Sequence, residues 1–294
     1  MFVRHDNAGV PVKIWQEQGQ VEEGALKQID NLRRLPFAYH HVAIMPDVHQ
    51  GYGMCIGGVL ATQGVVIPNA VGVDIGCGMC AVKTSLKASK LSTDELKMIM
   101  GEIRKVVPVG FNHQKEEQNE NLMPRIEPEL ASSVIRAEFS SAKKQLGTLG
   151  GGNHFIEIQK DKEDNVWIMI HSGSRNLGKK VADHYNKIAV ELNKRWFSCV
   201  PKEWELAFLP IETQEAKNYL AEMNYCIEFA LANRKLMMDN ILNCFCNILG
   251  VIKTSKWREP IINIAHNYAR YEHHFGKDVL VHRKGATSAK LGEI

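Results

Sequence analysis

Apolar residues recur at three- and four-residue spacing along several stretches of the chain. That spacing puts them on one face of a helix, so amphipathic helices are predicted there. The clearest starts at Ser92, which makes a capping box with Glu95, and carries Leu96, Ile99, Met100, Ile103 and Val107 on one side before Pro108. Further helices are predicted over 22–35, 130–146, 177–197 and 213–249, the last long enough for a break within it to be expected. Strand patterns lie between them: the glycine-punctuated apolar run 55–83, then 154–160, 166–171 and 278–282. Helices and strands do not alternate as βαβ units. The pattern therefore predicts an α+β fold, an irregular mixed β-sheet sandwich with surrounding helices, rather than a doubly wound sheet. With no fixed-period repeat and no Pro/Ser-rich linker, residues 1–294 read as one domain.

One hairpin carries a geometric expectation. Segments 154–160 and 166–171 flank the polar turn 161–164, and pairing Lys160 with Asn165 would set His154 opposite His171 on one face. A one-residue slip would undo it.

Composition narrows the function classes. With 45% hydrophobic and 23% charged residues, the 294-residue chain reads as a soluble globular body. A net charge of +3 supplies no global field toward nucleic acid or an anionic membrane, so a polyanion must be met locally. The longest uncharged stretch, 48–73, could span a bilayer by length but holds six glycines, Pro68, Gln50, Gln63 and Asn69. Buried strands and turns are expected there, and no membrane partner. Seven cysteines, an odd number, with no secretory leader pattern, point to a reducing cytoplasm. Residues 253–294 are locally basic, eight Lys/Arg against four acids, a weak signal for phosphate backbones.

Four segments carry candidate chemistry. Asp74 and Cys77 stand three residues apart among glycines, and such a pair can ligate one metal, or two if the thiolate bridges. A competing structural zinc site would join Cys77 and Cys80 to Cys244 and Cys246, although the second pair lies in an apolar helical run. Glycine and serine turns around His154 and His171, with Arg175 and a helix start following, suit a phosphate. Asp47 with His49, and His266 with Asn267, add polar units whose roles spacing alone leaves open.

Together the strings MPDVHQGYG at 45–53, VGVDIGCGM at 71–79, LGTLGGGNHFIE at 146–157, HSGSRNLG at 171–178, and HNYA at 266–269 with VHRKGATSAKLGE at 281–293 resemble the RtcB family of RNA-splicing ligases. The likeness is collinear from about residue 40 to the last residue. It implies an enzyme that uses GTP and Mn²⁺ to join RNA ends bearing a 2′,3′-cyclic phosphate or 3′-phosphate to a 5′-hydroxyl, in tRNA splicing or RNA repair. By motif, Asp74, Cys77, His154, His171 and His266 become metal ligands, with Cys77 bridging two ions. Asn153, Phe155, Glu157 and Asn267 become guanosine-nucleotide contacts, and Arg175 the holder of an RNA phosphate. Zn²⁺ and Co²⁺ suit the same donors as Mn²⁺.

The sequence departs from the family pattern at its end. Members continue into an HGAGR-type segment whose histidine takes up GMP, and none of the twelve histidines of this chain stands in that context. A truncated or split protein is expected, inactive in sealing unless a complementing C-terminal segment, with or without an activating protein, is supplied. A non-catalytic metal- and RNA-binding remnant and a metal-dependent phosphoesterase are the alternatives.

Overall fold

The computed structural model describes residues 1–4, 8–17, 19–130, 133–250 and 258–290. Its strands are β1 (Phe2–Arg4), β2 (Val12–Ile14), β3 (Ala38–His49), β4 (Ile56–Thr62), β5 (Val65–Val66), β6 (Gly78–Lys87), β7 (Phe155–Lys160), β8 (Asn165–Ser172), β9 (Leu209–Pro210), β10 (Ile262–Ala265), β11 (Asn267–His274) and β12 (Lys277–Lys284). The α-helices are α1 (Glu23–Arg33), α2 (Pro68–Val71), α3 (Thr93–Val106), α4 (Val134–Gln145), α5 (Arg175–Arg195) and α6 (Gln214–Leu249). A six-stranded sheet in the order β1-β2-β3-β4-β12-β11 and a four-stranded sheet in the order β10-β6-β8-β7 carry most of the strands, and β5 pairs with β9. The fold is α+β, as the pattern predicts. The chain passes from one large sheet to the other between β10 and β11, and the single residue at that crossing is His266.

Local chemistry sets the helix starts. Ser92 Oγ accepts the Glu95 N–H at 3.2 Å while Glu95 Oε2 accepts the Ser92 N–H at 2.8 Å, which is the expected capping box of α3. Ser133 and Thr213 cap α4 and α6 by accepting the Arg136 and Ala216 N–H groups, without a reciprocal side chain; residues 131 and 132 of the stretch predicted as helix lie outside the described residues. The break expected in α6 is absent, and the helix runs unbroken for 36 residues to a left-handed Gly250. No proline or glycine interrupts it, and it belongs to two core clusters at once. Tyr219 and Phe229 pack in the one that includes Leu177 and Val181 of α5, and Met237 and Phe245 in the one that includes Val82 of β6 and Ile168 of β8.

No strand is predicted over β3, which holds Pro46 and the pair His40 and His41. Its pairing with β4 slips register between Ala38 and Val42 and again between Ile44 and His49, and the second irregularity is where Pro46 sits. Region 48–73 forms the end of β3, then β4, β5 and α2, and among the described residues no helix is long and apolar enough to cross a membrane. Nor does the basic segment form one exposed patch. Lys253 and Lys256 lie outside the described residues, Arg270 and Arg283 turn to the buried Glu272, and Lys284 is itself buried.

His282 in β12 gives a pH test of the fold. It is fully buried, its Nε2 accepts the Ile67 N–H at 3.0 Å, and burial pushes the imidazole down to about 4 against the backbone bonds at Leu60 and Leu280. The unfolded chain therefore binds the proton first as pH falls from about 6.5 to about 4, and His282 alone removes about 3 kcal/mol of stability across that window. Denaturant unfolding at pH 7 and pH 4 should show His282→Gln losing less stability between the two than the unsubstituted chain, by roughly that amount. An identical pH dependence in both would exclude this role.

Candidate metal centre

Four segments deliver the candidate ligands to the place where the two large sheets meet. Asp74 and Cys77 sit in the loop between α2 and β6, which turns through Gly76 at φ 73°, where a Cβ would lie 2.9 Å from the Ile227 Cα of α6. A side chain at Gly76 would collide there. His171 lies in β8 opposite Met79 of β6, and His154 ends the loop that enters β7. At the sheet crossing, the His266 N–H donates to Cys77 O at 2.7 Å. All five predicted ligands converge although they span residues 74 to 266.

They form two sets that share one thiol. Cys77, His171 and His266 make one, and Asp74, Cys77 and His154 the other, each with its ligand atoms within 4.8 Å of one another. Cys77 Sγ lies 3.2 Å from His171 Nε2 and 3.6 Å from His154 Nε2, and His171 Nε2 lies 3.3 Å from His266 Nε2. The outer nitrogens explain the orientation of two rings. His154 Nδ1 is 3.0 Å from Leu149 O and His171 Nδ1 is 3.1 Å from Asn153 O. A carbonyl only accepts, so each Nδ1 carries the hydrogen and each Nε2 of the neutral ring offers a lone pair to the cluster.

That crowding of acceptors has a physical consequence. Two imidazole nitrogens at 3.3 Å, and His154 Nε2 at 2.8 Å from Asp74 Oδ2, need a proton or a cation between them. Two of the imidazoles hold a proton weakly: burial, with His171 and Arg234 adding, pushes His266 down to about 4, and burial also lowers His171. Burial and the Asp74 carboxylate raise the Cys77 thiol well above its usual value. A metal ion would satisfy all of these groups at once by taking the place of the thiol's proton. Carboxylate, thiolate and imidazole together form a donor set of intermediate softness that suits Mn²⁺, Zn²⁺ or Co²⁺.

The hairpin register differs from the expected one. Lys160 pairs with Val166 and Phe155 with His171, one residue away from a His154–His171 pair. The cause lies in the turn: Asp161 Oδ1 accepts the Asn165 N–H at 2.8 Å and Asp164 adopts φ 66°, which takes Asn165, the first residue of β8, out of the pairing with β7. The two rings still meet, with centroids 5.4 Å apart, because His154 precedes the strand and is turned by its bond to Leu149.

Other predicted site residues fall into two groups. Phe155 stands edge-on to His171 at 5.4 Å, and Glu157 follows on the same face of β7, exposed. Asn153 lines the same cleft of about 370 Å³ as Cys77, His171 and His266. By contrast, Asn267 and Arg175 are already engaged in holding loops. Asn267 Nδ2 donates to Asp74 O and its Oδ1 accepts the Gly285 N–H, at 3.0 and 2.8 Å. Arg175, at φ 60°, donates to Thr148 Oγ1 and Gly110 O at 3.0 and 3.1 Å. Asp47, His49 and Lys284 also line the cleft without a role having been read for them, and the signal was their place in two of the family strings. No zinc set arises from Cys80, Cys244 and Cys246 among the described residues; Cys80 and Cys244 are core residues.

Two sheets meeting at two groups of His, Cys and Asp side chains that share Cys77, each group able to hold a metal ion, define an α+β protein with a candidate metal centre. The family model described as "RtcB: tRNA-splicing ligase RtcB" matches residues 28–293. RNA-splicing ligase RtcB of Escherichia coli (strain K12) is 36% identical over 301 residues, covering 96% of this chain and 73% of the relative. The tRNA-splicing ligase RtcB of Methanococcus maripaludis is 33% identical over 319 residues, covering 92% of this chain and 66% of the relative. The chain belongs to the RtcB family.

Proposed function

We propose that this chain carries the metal-binding core of an RNA ligase that uses GTP and Mn²⁺ to join a 2′,3′-cyclic phosphate or 3′-phosphate end to a 5′-hydroxyl end, in tRNA splicing or RNA repair. The observation that supports this reading is the double ligand set sharing Cys77, beside the paired faces of Phe155 and Glu157. Bound there, two divalent ions would neutralise phosphate oxygens and align an in-line displacement. In this reading Phe155 stacks on the guanine, Glu157 accepts its N–H groups and Asn153 contacts the nucleotide. Asn267 orders the Asp74 loop from behind, and Arg175 presents its remaining N–H groups to an RNA phosphate beside the glycine turn at Gly150. Seven free cysteines suit a reducing cytoplasm.

The proposal assigns the guanylylated histidine to an HGAGR-type context, in which none of the twelve histidines of this chain stands; His154, His171 and His266 serve in it as ligands, and using one as nucleophile would dismantle the site. Incubation with Mn²⁺ and α-³²P-labelled GTP should leave the 294-residue chain unlabelled on a denaturing gel. Addition of a segment bearing the HGAGR motif should restore both labelling and sealing of cyclic-phosphate RNA. A labelled band from the chain alone, abolished by a histidine substitution within it, would show that it carries its own nucleophile.

A further inference from the structure

The four ligand-bearing segments are held at one spacing by two neighbouring residues in the middle of α6. Asn233 and Arg234 are both fully buried. Asn233 Oδ1 accepts the N–H groups of Gly147 and Thr148 at 2.7 and 3.1 Å, in the loop that leads to His154, and its Nδ2 donates to Gly173 O at 3.2 Å, just past His171. Arg234 shares the His171 segment and reaches those of Cys77 and His266 as well. Its Nη1 donates to Gly76 O and Ser172 O, both at 2.8 Å, so one nitrogen ties the residue before Cys77 to the residue after His171. Its Nε donates to Asn263 Oδ1 at 2.8 Å, in β10 three residues before His266.

Hydrogen bonding of the backbone does not require a cation in that place. A buried guanidinium is costly unless anions or good acceptors surround it. Among the described residues no carboxylate forms an ion pair with Arg234, and Nη2 is buried with no hydrogen-bond partner. The groups whose charge acts on it are Cys77, Cys80 and Asp74, two of which are candidate ligands. Its planar fork therefore spans the back of the cluster, while its charge lies behind the anionic donors.

We propose that Arg234, supported by Asn233, is the positioning residue of the metal centre, fixing the separation of Cys77, His171 and His266 before any metal arrives. It touches neither metal nor substrate. The inference rests on the metal centre proposed above, and the test separates the two.

Cobalt(II) is the probe, because thiolate-to-cobalt absorption and the visible d–d bands report both ligation by Cys77 and its geometry. The unsubstituted chain should bind Co²⁺ with a thiolate charge-transfer band; absence of the band would overturn the metal centre itself. Arg234→Met should weaken Co²⁺ binding about 10- to 100-fold and shift the d–d bands, the usual scale for losing an outer support of a ligand set. Arg234→Lys, which keeps the charge but not the fork, should recover only part of that loss. A folded Arg234→Met with affinity within about threefold of the unsubstituted chain and unchanged bands would overturn the positioning role. Should Arg234→Met fail to fold, Asn263→Ala removes the acceptor at Nε together with the bond from Asn263 Nδ2 to Leu231 O; it should weaken Co²⁺ binding several-fold and shift the same bands, and no change in either would overturn the role equally.

Discussion

Cys77→Ala should abolish binding of both metal ions, not one. Asp74 and His154 on one side, and His171 and His266 on the other, share no ligand except the Cys77 thiol. Without the sulfur each set falls to two protein donors, too few for a tight site. Each affinity should fall by at least about 100-fold, beyond the range seen when only an outer support of a ligand is lost. Removing one buried sulfur leaves a small cavity, so thermal stability without metal should change by only about 1 kcal/mol. Metal analysis after gel filtration in Mn²⁺, read beside a thermal melt, checks both halves. A Cys77→Ala chain that retains one Mn²⁺ would show that the sulfur is not shared.

Gly173→Ala should remove one ion and leave the other. Gly173 follows His171 and Ser172 at the end of β8, and a Cβ there would overlap the Asp74 carboxylate, whose atoms are its three nearest neighbours. Its φ lies outside the left-handed region, so alanine costs the backbone little. The flexible Asp74 side chain must then swing out of the cluster. Cys77, His171 and His266 stay in place, because their supports at Asn153, Gly76 and Ser172 are untouched. Calorimetric titration should give about one Mn²⁺ per chain instead of about two, with the lost step regained when Asp74 is given room by no other change than restoring glycine. Two ions bound at the original affinities would mean that Asp74 is not a ligand.

Four of the candidate ligands were legible because they stand in glycine- or serine-rich strings whose chemistry is local, Asp74 and Cys77 in one loop and His154 and His171 flanking one hairpin, whereas His266 was carried only by the family string HNYA. The hairpin register was not legible, since it depends on the Asp161 carboxylate capturing Asn165, a side-chain choice that alternation of apolar residues does not encode. β3 was hidden by Pro46 and its polar histidines, which only the irregular pairing with β4 accommodates. Arg234 left a signal that was readable in principle. Ala230, Asn233, Arg234 and Met237 follow the i, i+3, i+4, i+7 spacing of a buried helical stripe, so two polar residues stand where the pattern calls for apolar ones. What they hold could be seen only once β6, β8 and β10 were placed beside α6, because their partners are backbone carbonyls and amides far away in sequence.

The central claim, a pair of metal ions bridged by one thiolate, is tested most directly by anomalous diffraction from crystals of the chain grown with Mn²⁺. Two anomalous peaks about 3.5–4 Å apart are predicted, one bounded by Asp74 and His154 and the other by His171 and His266, with Cys77 Sγ between them. A single peak on one side of the sulfur, or peaks only at surface carboxylates with the Cys77 cluster bare, would contradict it.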